Sequence, residues 1–93
     1  MPNFIDHHGK TQGARTTLEM ISKAQQMLQQ LRADIAARRA DRFGVTPVNC
    51  YRSPTGEWWC VTEAPDADAV IKSHEAHGLK LTRYDVIPIT PIV

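Results

Sequence analysis

Four short stretches rich in β-branched and aromatic residues and two stretches with apolar residues at helical spacing follow one another as strand, helix, strand, strand, helix, strand. That order predicts an α+β fold, a ferredoxin-like βαββαβ sandwich with an antiparallel four-stranded sheet and two helices on one face. The 93 residues suit a single domain spanning 1–93, large enough for a two-layer core and small enough that a second subunit would help to bury surface.

The first strand is expected over Asn3 to His8, apolar at Phe4 and Ile5 and polar at Asp6, His7 and His8, with Gly9 and Gly13 opening the turn beyond it. Thr16 and Glu19 then form a capping box. Leu18, Ile21, Ala24, Leu28, Leu31 and Ile35 recur at three- and four-residue steps, which predicts a long amphipathic helix reaching about Arg42. In that reading Arg38, Arg39 and Arg42 lie in the last turns, where cations favour the helix dipole, and Gly44 closes the helix. Met27 and the glutamine pairs 25/26 and 29/30 flank the stripe as edge and solvent positions.

Val45 to Arg52 makes the second strand, and Ser53-Pro54-Thr55-Gly56 a turn. Pro54 cannot take the positive φ of a type I′ turn, so a type I turn with Gly56 as a left-handed bulge residue is expected. The register then sets Ser53 against Glu57, Arg52 against Trp58, Tyr51 against Trp59 and Cys50 against Cys60. Counted outward from the turn, the cysteines fall at a non-hydrogen-bonded pair with α-carbons about 4.5 Å apart, so their thiols should be neighbours.

Trp58 to Thr62 forms the third strand and Pro65 ends it. Asp66 N-caps the second helix, Asp68 adds charge favourable to its dipole, Ala67, Ala69, Val70, Ile71 and Ala76 give helix formers and an apolar side, and Gly78 ends it. Leu81 to Ile87 is expected as the fourth strand, with Pro88 and Pro91 making the tail irregular or an edge. The first and third strands are taken as parallel central neighbours. Asp6 to His8 and Thr62 to Glu63 would then finish at one end of the sheet, with His74 and His77 towards the other. Joining the two groups would need a different helix tilt or a second subunit.

Eleven basic and ten acidic residues leave a net charge of +1, so nothing global draws the chain to nucleic acid or anionic lipid. No run of about 18 apolar residues is present, and MPNFIDHHGK lacks the basic and then apolar plan of a signal peptide. Neither a membrane nor export is indicated, and a cytoplasmic location is expected. There the two cysteines read as thiols or metal ligands before a structural bridge.

Strand alternation puts Asp6 and His8 on one face as a workable chelating pair and His7 on the other. Solvation or capping is the competing account of that pair. His74 and His77, three apart on a helix, are close enough to share a metal, and are equally favourable to the dipole at a helix end. Cys50 and Cys60 suit soft ligands, a redox pair or small core residues. Glu63, just before Ala64-Pro65, suits a ligand, a base or a bond to the helix start. There is no Gly-rich phosphate loop, nucleophile elbow, CxxC or HExxH, and no residue pattern names a substrate. Trp58, Trp59 and Tyr51 suit an apolar cavity or a homodimer face.

Phe4-Ile5-Asp6-His7-His8, Cys60-Val61-Thr62-Glu63-Ala64-Pro65, and His74 followed by Ala76-His77-Gly78-Leu79 resemble the family of unknown function DUF4242. Its best-described branch consists of small actinobacterial nickel-binding proteins with a dimeric ferredoxin-like fold. The resemblance covers nearly the whole chain except the long Gln-rich helix. It places the family's Asp-x-His on Asp6 and His8, its Cys-x-x-Glu-Ala-Pro on Cys60, Glu63, Ala64 and Pro65, and its helix histidine on His74. His77 stands one position out of register with the second family histidine. What this implies is a homodimer binding a divalent transition metal, nickel by resemblance, through Asp6, His8, Glu63 and His74, with Cys60 next. A different class stands beside it: a dimeric α+β barrel that binds or transforms a small molecule between helices and sheet.

Overall fold

The computed structural model describes residues 1–8, 18–55 and 57–92, with the backbone alone over 18–24. The elements are β1 (Asn3–His8), α1 (Leu18–Ala37), β2 (Thr46–Arg52), β3 (Trp58–Glu63), α2 (Ala67–Ala76), a 3₁₀ turn (Arg83–Asp85) and β4 (Val86–Ile89). They build the α+β ferredoxin-like sandwich, a sheet in the order β2-β3-β1-β4 with every neighbouring pair antiparallel. The expected turn at Gly9 and Gly13, the Thr16–Glu19 capping box, the Leu18, Ile21 and Ala24 side chains and the Gly56 bulge lie outside the described residues.

The expectation that β1 and β3 run parallel is overturned. They pair antiparallel, Asn3 with Glu63, Asp6 with Cys60 and His8 with Trp58. The reason is topological: a hairpin reverses the chain between β2 and β3, so the strand that follows the hairpin must oppose β1. Glu63 therefore ends at the Asn3 end, and α2 runs back towards the Asp6–His8 end.

Helix α1 stops at Ala37, five residues before the expected Arg42, and Gly44 does not close it. Arg38 adopts φ +50° there. Its N–H donates to Ile35 O (3.2 Å) and that of Arg39 to Asp34 O (3.0 Å), the paired bonds of a Schellman cap built without glycine. Arg38, Arg39 and Arg42 thus lie beyond the helix, not in its last turns. Gly44, at φ +79°, instead turns the chain into β2, where a β-carbon would meet the Pro65 ring at 3.3 Å. Asp41 holds that turn: Oδ1 accepts from the N–H groups of Phe43 (2.9 Å) and Val45 (3.0 Å), and Oδ2 from the hydroxyl of Ser73 on α2.

The hairpin register is as expected, Cys50 opposite Cys60 and Tyr51 opposite Trp59, with Ser53 N–H donating to Glu57 O at 2.9 Å. Asp66 caps α2 by accepting from Ala69 N–H (2.8 Å), and Gly78 at φ +78° closes it. Leu81 to Asp85 is not strand. Thr82 donates through its N–H and hydroxyl to Asp85 Oδ2 (2.8 and 2.9 Å), and this local pairing folds the segment into the 3₁₀ turn, delaying β4 to Val86. Pro88 sits in β4, the edge strand, where a missing N–H costs no ladder bond.

The core lies under α2. Phe4, Val45, Ala64, Val70, Leu81 and Val86 are buried together, with Phe43, Ala67, Ala69 and Ile71 packed on them. Burying a branched aliphatic side chain contributes roughly 1.5–3 kcal/mol, so this cluster fixes where α2 lies on the sheet. Helix α1 packs on β2, its Leu28, Leu31 and Ile35 bordering a cleft with Cys50. No helix among the described residues is long and apolar enough to cross a membrane.

Candidate metal centre

Along β1 burial alternates, and Phe4, Asp6 and His8 all face the helices. Phe4 belongs there by hydrophobicity; Asp6 at 1% exposure and His8 at 5% do not, and polar side chains so buried need partners. The antiparallel register supplies one, since Cys60 stands directly across from Asp6. Helix α2 supplies the other. From the Asn3–Glu63 level to Asp6 is about 10 Å of strand, and from the Asp66 cap to His74 about 12 Å of helix, so the returning helix sets His74 over Asp6 in the same subunit. On α2, Ala67, Val70, Ile71 and His74 follow the i, i+3, i+4, i+7 stripe that faces the sheet, with His74 at its last position.

One ligand atom each from Asp6, His8, Cys60 and His74 lies within 4.8 Å of the others. Nε2 of His8 is 2.6 Å from Asp6 Oδ1 and Nε2 of His74 is 3.3 Å from the same oxygen, while the two imidazoles stack with centroids 5.0 Å apart. These are short contacts without hydrogen-bond geometry: among the described residues both buried Asp6 oxygens lack a well-formed hydrogen bond. His74 is oriented by its own helix, its Nδ1–H donating to Val70 O at 2.8 Å. In a neutral imidazole that bond puts the remaining lone pair on Nε2, aimed at the carboxylate. A lone pair and a carboxylate repel unless a proton or a metal cation stands between them, and a backbone carbonyl holding the distal nitrogen is the usual support of a metal-bound histidine.

The same geometry shapes the protonation of these groups. Burial would push the Asp6 carboxyl up, but the two imidazole nitrogens set against it, that of His74 and then that of His8, together outweigh burial and hold it below the ordinary 3.8. For His74, burial would lower the value, but Asp6 and the Val70 carbonyl outweigh it and raise it above 6.5. Cys60 and Cys50 face each other with sulfurs 3.2 Å apart. Their shared hydrogen bond lowers Cys50, while the same bond, burial and the Asp6 charge drive Cys60 well up. A Cys60 thiolate beside Asp6 therefore calls for a cation among these donors.

Of the residues singled out in the sequence, Asp6, His8, Cys60 and His74 converge and Glu63 does not. Glu63 sits three ladder positions away, opposite Asn3 and Thr46. The expectation that a second subunit or altered tilt would be needed to join strand and helix histidines is overturned by the antiparallel β1–β3 pairing. His77 turns out to solvent, its Nδ1–H donating to Ser73 O at 2.9 Å, and His7 lies on the helix-free face, 3.5 Å from Glu57 and with its ring tilted 39° to that of Trp59 at 5.2 Å. Sequence reasoning passed over the Val70 carbonyl and the Asp41–Ser73 bond, which pins α2 one residue before His74. The first was signalled by the four-residue spacing of Val70 and His74; nothing in the sequence signalled the second.

Comparison with protein-family models, with curated proteins and with solved structures returns no match for this chain.

Proposed function

We propose that this protein binds a divalent transition-metal ion in a buried site made by one subunit, with Asp6, His8, Cys60 and His74 as ligands. The observation that carries the reading is the His74 imidazole, locked by Val70 with its other nitrogen 3.3 Å from a buried carboxylate oxygen that, among the described residues, has no well-formed hydrogen bond. Four donors of this kind, one carboxylate, two imidazoles and one thiolate, fit the coordination number and softness of Zn²⁺, Ni²⁺ or Cu²⁺ better than those of Mg²⁺ or Ca²⁺, which take oxygen alone. Nickel is the ion the resemblance to the DUF4242 proteins implies, and the proposal includes it as the first to test. An enzyme or small-molecule binder would use the cleft between α1 and β2, about 290 Å³, below the size of most ligand pockets. The metal reading accounts for the buried charges, which the cleft reading leaves unexplained.

Protein purified without a histidine tag, under reducing conditions, should carry about one equivalent of metal per chain by elemental analysis, or take one up after stripping. Failure to retain any of Ni²⁺, Zn²⁺, Cu²⁺ or Co²⁺ at micromolar concentration would defeat the proposal.

A further inference from the structure

Cys60 belongs to two constellations at once. Its sulfur is among the four clustered ligand atoms, and it also lies 3.2 Å from the sulfur of Cys50. The cysteines are directly cross-strand, and counting from the Ser53–Glu57 bond makes them a non-hydrogen-bonded pair, whose α-carbon separation of about 4.5 Å lies in the range a disulfide spans without backbone movement. Cys50 borders the cleft between α1 and β2, so a small oxidant can reach it from solvent, whereas Cys60 lies behind it towards Asp6.

We infer that Cys50 and Cys60 are a reversible thiol switch: their disulfide withdraws the Cys60 thiolate from the ligand set, so bound metal and the oxidised pair exclude each other. The inference rests on the metal reading and adds the regulation of that site. A disulfide sulfur is neutral and carries none of the thiolate's affinity for a cation. With hydrogen peroxide as oxidant, the Cys50 sulfur attacks one peroxide oxygen, the O–O bond breaks, and the departing hydroxide takes the thiol proton and leaves as water, giving a sulfenic acid. The Cys60 thiol then attacks the Cys50 sulfur, the S–O bond breaks, and a second water leaves as S–S forms. Two thiols have lost two electrons and two protons to one peroxide. A low-molecular-weight dithiol reverses the step by exchange, taking up the disulfide itself.

The test uses the full chain and Co²⁺ as probe, read by the thiolate-to-cobalt charge-transfer band and by calorimetric Kd. Stoichiometric peroxide on the metal-free protein should remove two hydrogens from the mass within one chain. The band should then be lost and Kd should rise by about a hundredfold or more, as expected for a lost ligand where even outer partners cost 10–100-fold, with a dithiol restoring both. Cobalt-loaded protein should form the crosslink about tenfold more slowly. Cys50→Ser should bind cobalt as the reduced wild type does, and should keep its band at the peroxide dose that completes the wild-type crosslink. A crosslinked protein with undiminished cobalt affinity, or peroxide treatment that yields no intrachain crosslink, overturns the switch while leaving the metal site standing. Reduced protein that binds no cobalt overturns both.

Discussion

Nε2 of His74 lies 3.3 Å from Oδ1 of Asp6, one atom from a helix that has just returned along the sheet and one from the strand that began it. The rest of the site follows from that meeting, because β1 carries His8 two residues on and β3 sets Cys60 beside Asp6. Replacing His74 with alanine should lower Ni²⁺ affinity by about a hundredfold or more, as should His8→Ala, since each removes a first ligand where even outer partners cost 10–100-fold. His77→Ala, whose ring bonds Ser73 O and faces solvent, should change affinity less than about twofold by calorimetry.

Metal affinity should fall as pH drops, starting from above 6.5. Asp6 raises the His74 value, so protons compete for this imidazole at a higher pH than for an ordinary histidine, and binding near neutrality should release protons. Titrations in buffers of different ionisation enthalpy would count them. Affinity that stayed flat from pH 8 down to about 6 would show that His74 is not a ligand.

The metal-free protein should show the opposite sign on the alkaline side. A raised His74 stabilises the fold fully below its unfolded value of about 6.5, and that contribution is lost as pH rises through the folded value. The lowered Asp6 stabilises above its ordinary 3.8 and loses its contribution as pH falls through the folded value. Urea unfolding of the metal-free protein should therefore give greatest stability in mild acid, and His74→Ala should flatten the alkaline decline. Equal slopes for wild type and variant would contradict the pairing.

Two structural substitutions separate packing from ligation. Val70 is fully buried against Phe4 and its neighbours, so Val70→Ala should cost about 2 kcal/mol in urea unfolding through lost burial and a residual cavity. Asp41→Ala removes two backbone bonds to the turn and the bond to Ser73, and should cost about 2–4 kcal/mol. Both should weaken metal binding less than His74→Ala does, because every ligand remains.

Much of this was legible in the residues, for reasons that are local. The hairpin register came from Pro54, which excludes one turn type, and it placed Cys50 against Cys60 correctly. The α2 boundaries came from Asp66 and Gly78, whose capping chemistry is short-range. The end of α1 was not legible, because Arg38 takes a left-handed conformation that its side chain does not advertise and its cap is made by backbone bonds alone. The start of β4 was not legible, because Leu81 and Tyr84 suit a strand that the Thr82–Asp85 bonds override. For the site, Asp6, His8, Cys60 and His74 were each visible as residue types, but their convergence depended on strand direction. A parallel β1–β3 pair would put the helix histidines at the far end of the sheet and Glu63 beside Asp6 and His8; the antiparallel pair does the reverse.

One metal ion held by Asp6, His8, Cys60 and His74 of one chain has a direct test. Reduced, metal-stripped wild type should be titrated with Ni²⁺ and with Co²⁺ beside Asp6→Ala, His8→Ala, Cys60→Ser and His74→Ala. Wild type should take up one equivalent per chain, the thiolate-to-cobalt band should vanish only in Cys60→Ser, and affinity should fall sharply in each of the four variants. Unchanged affinity in both His8→Ala and His74→Ala would contradict it.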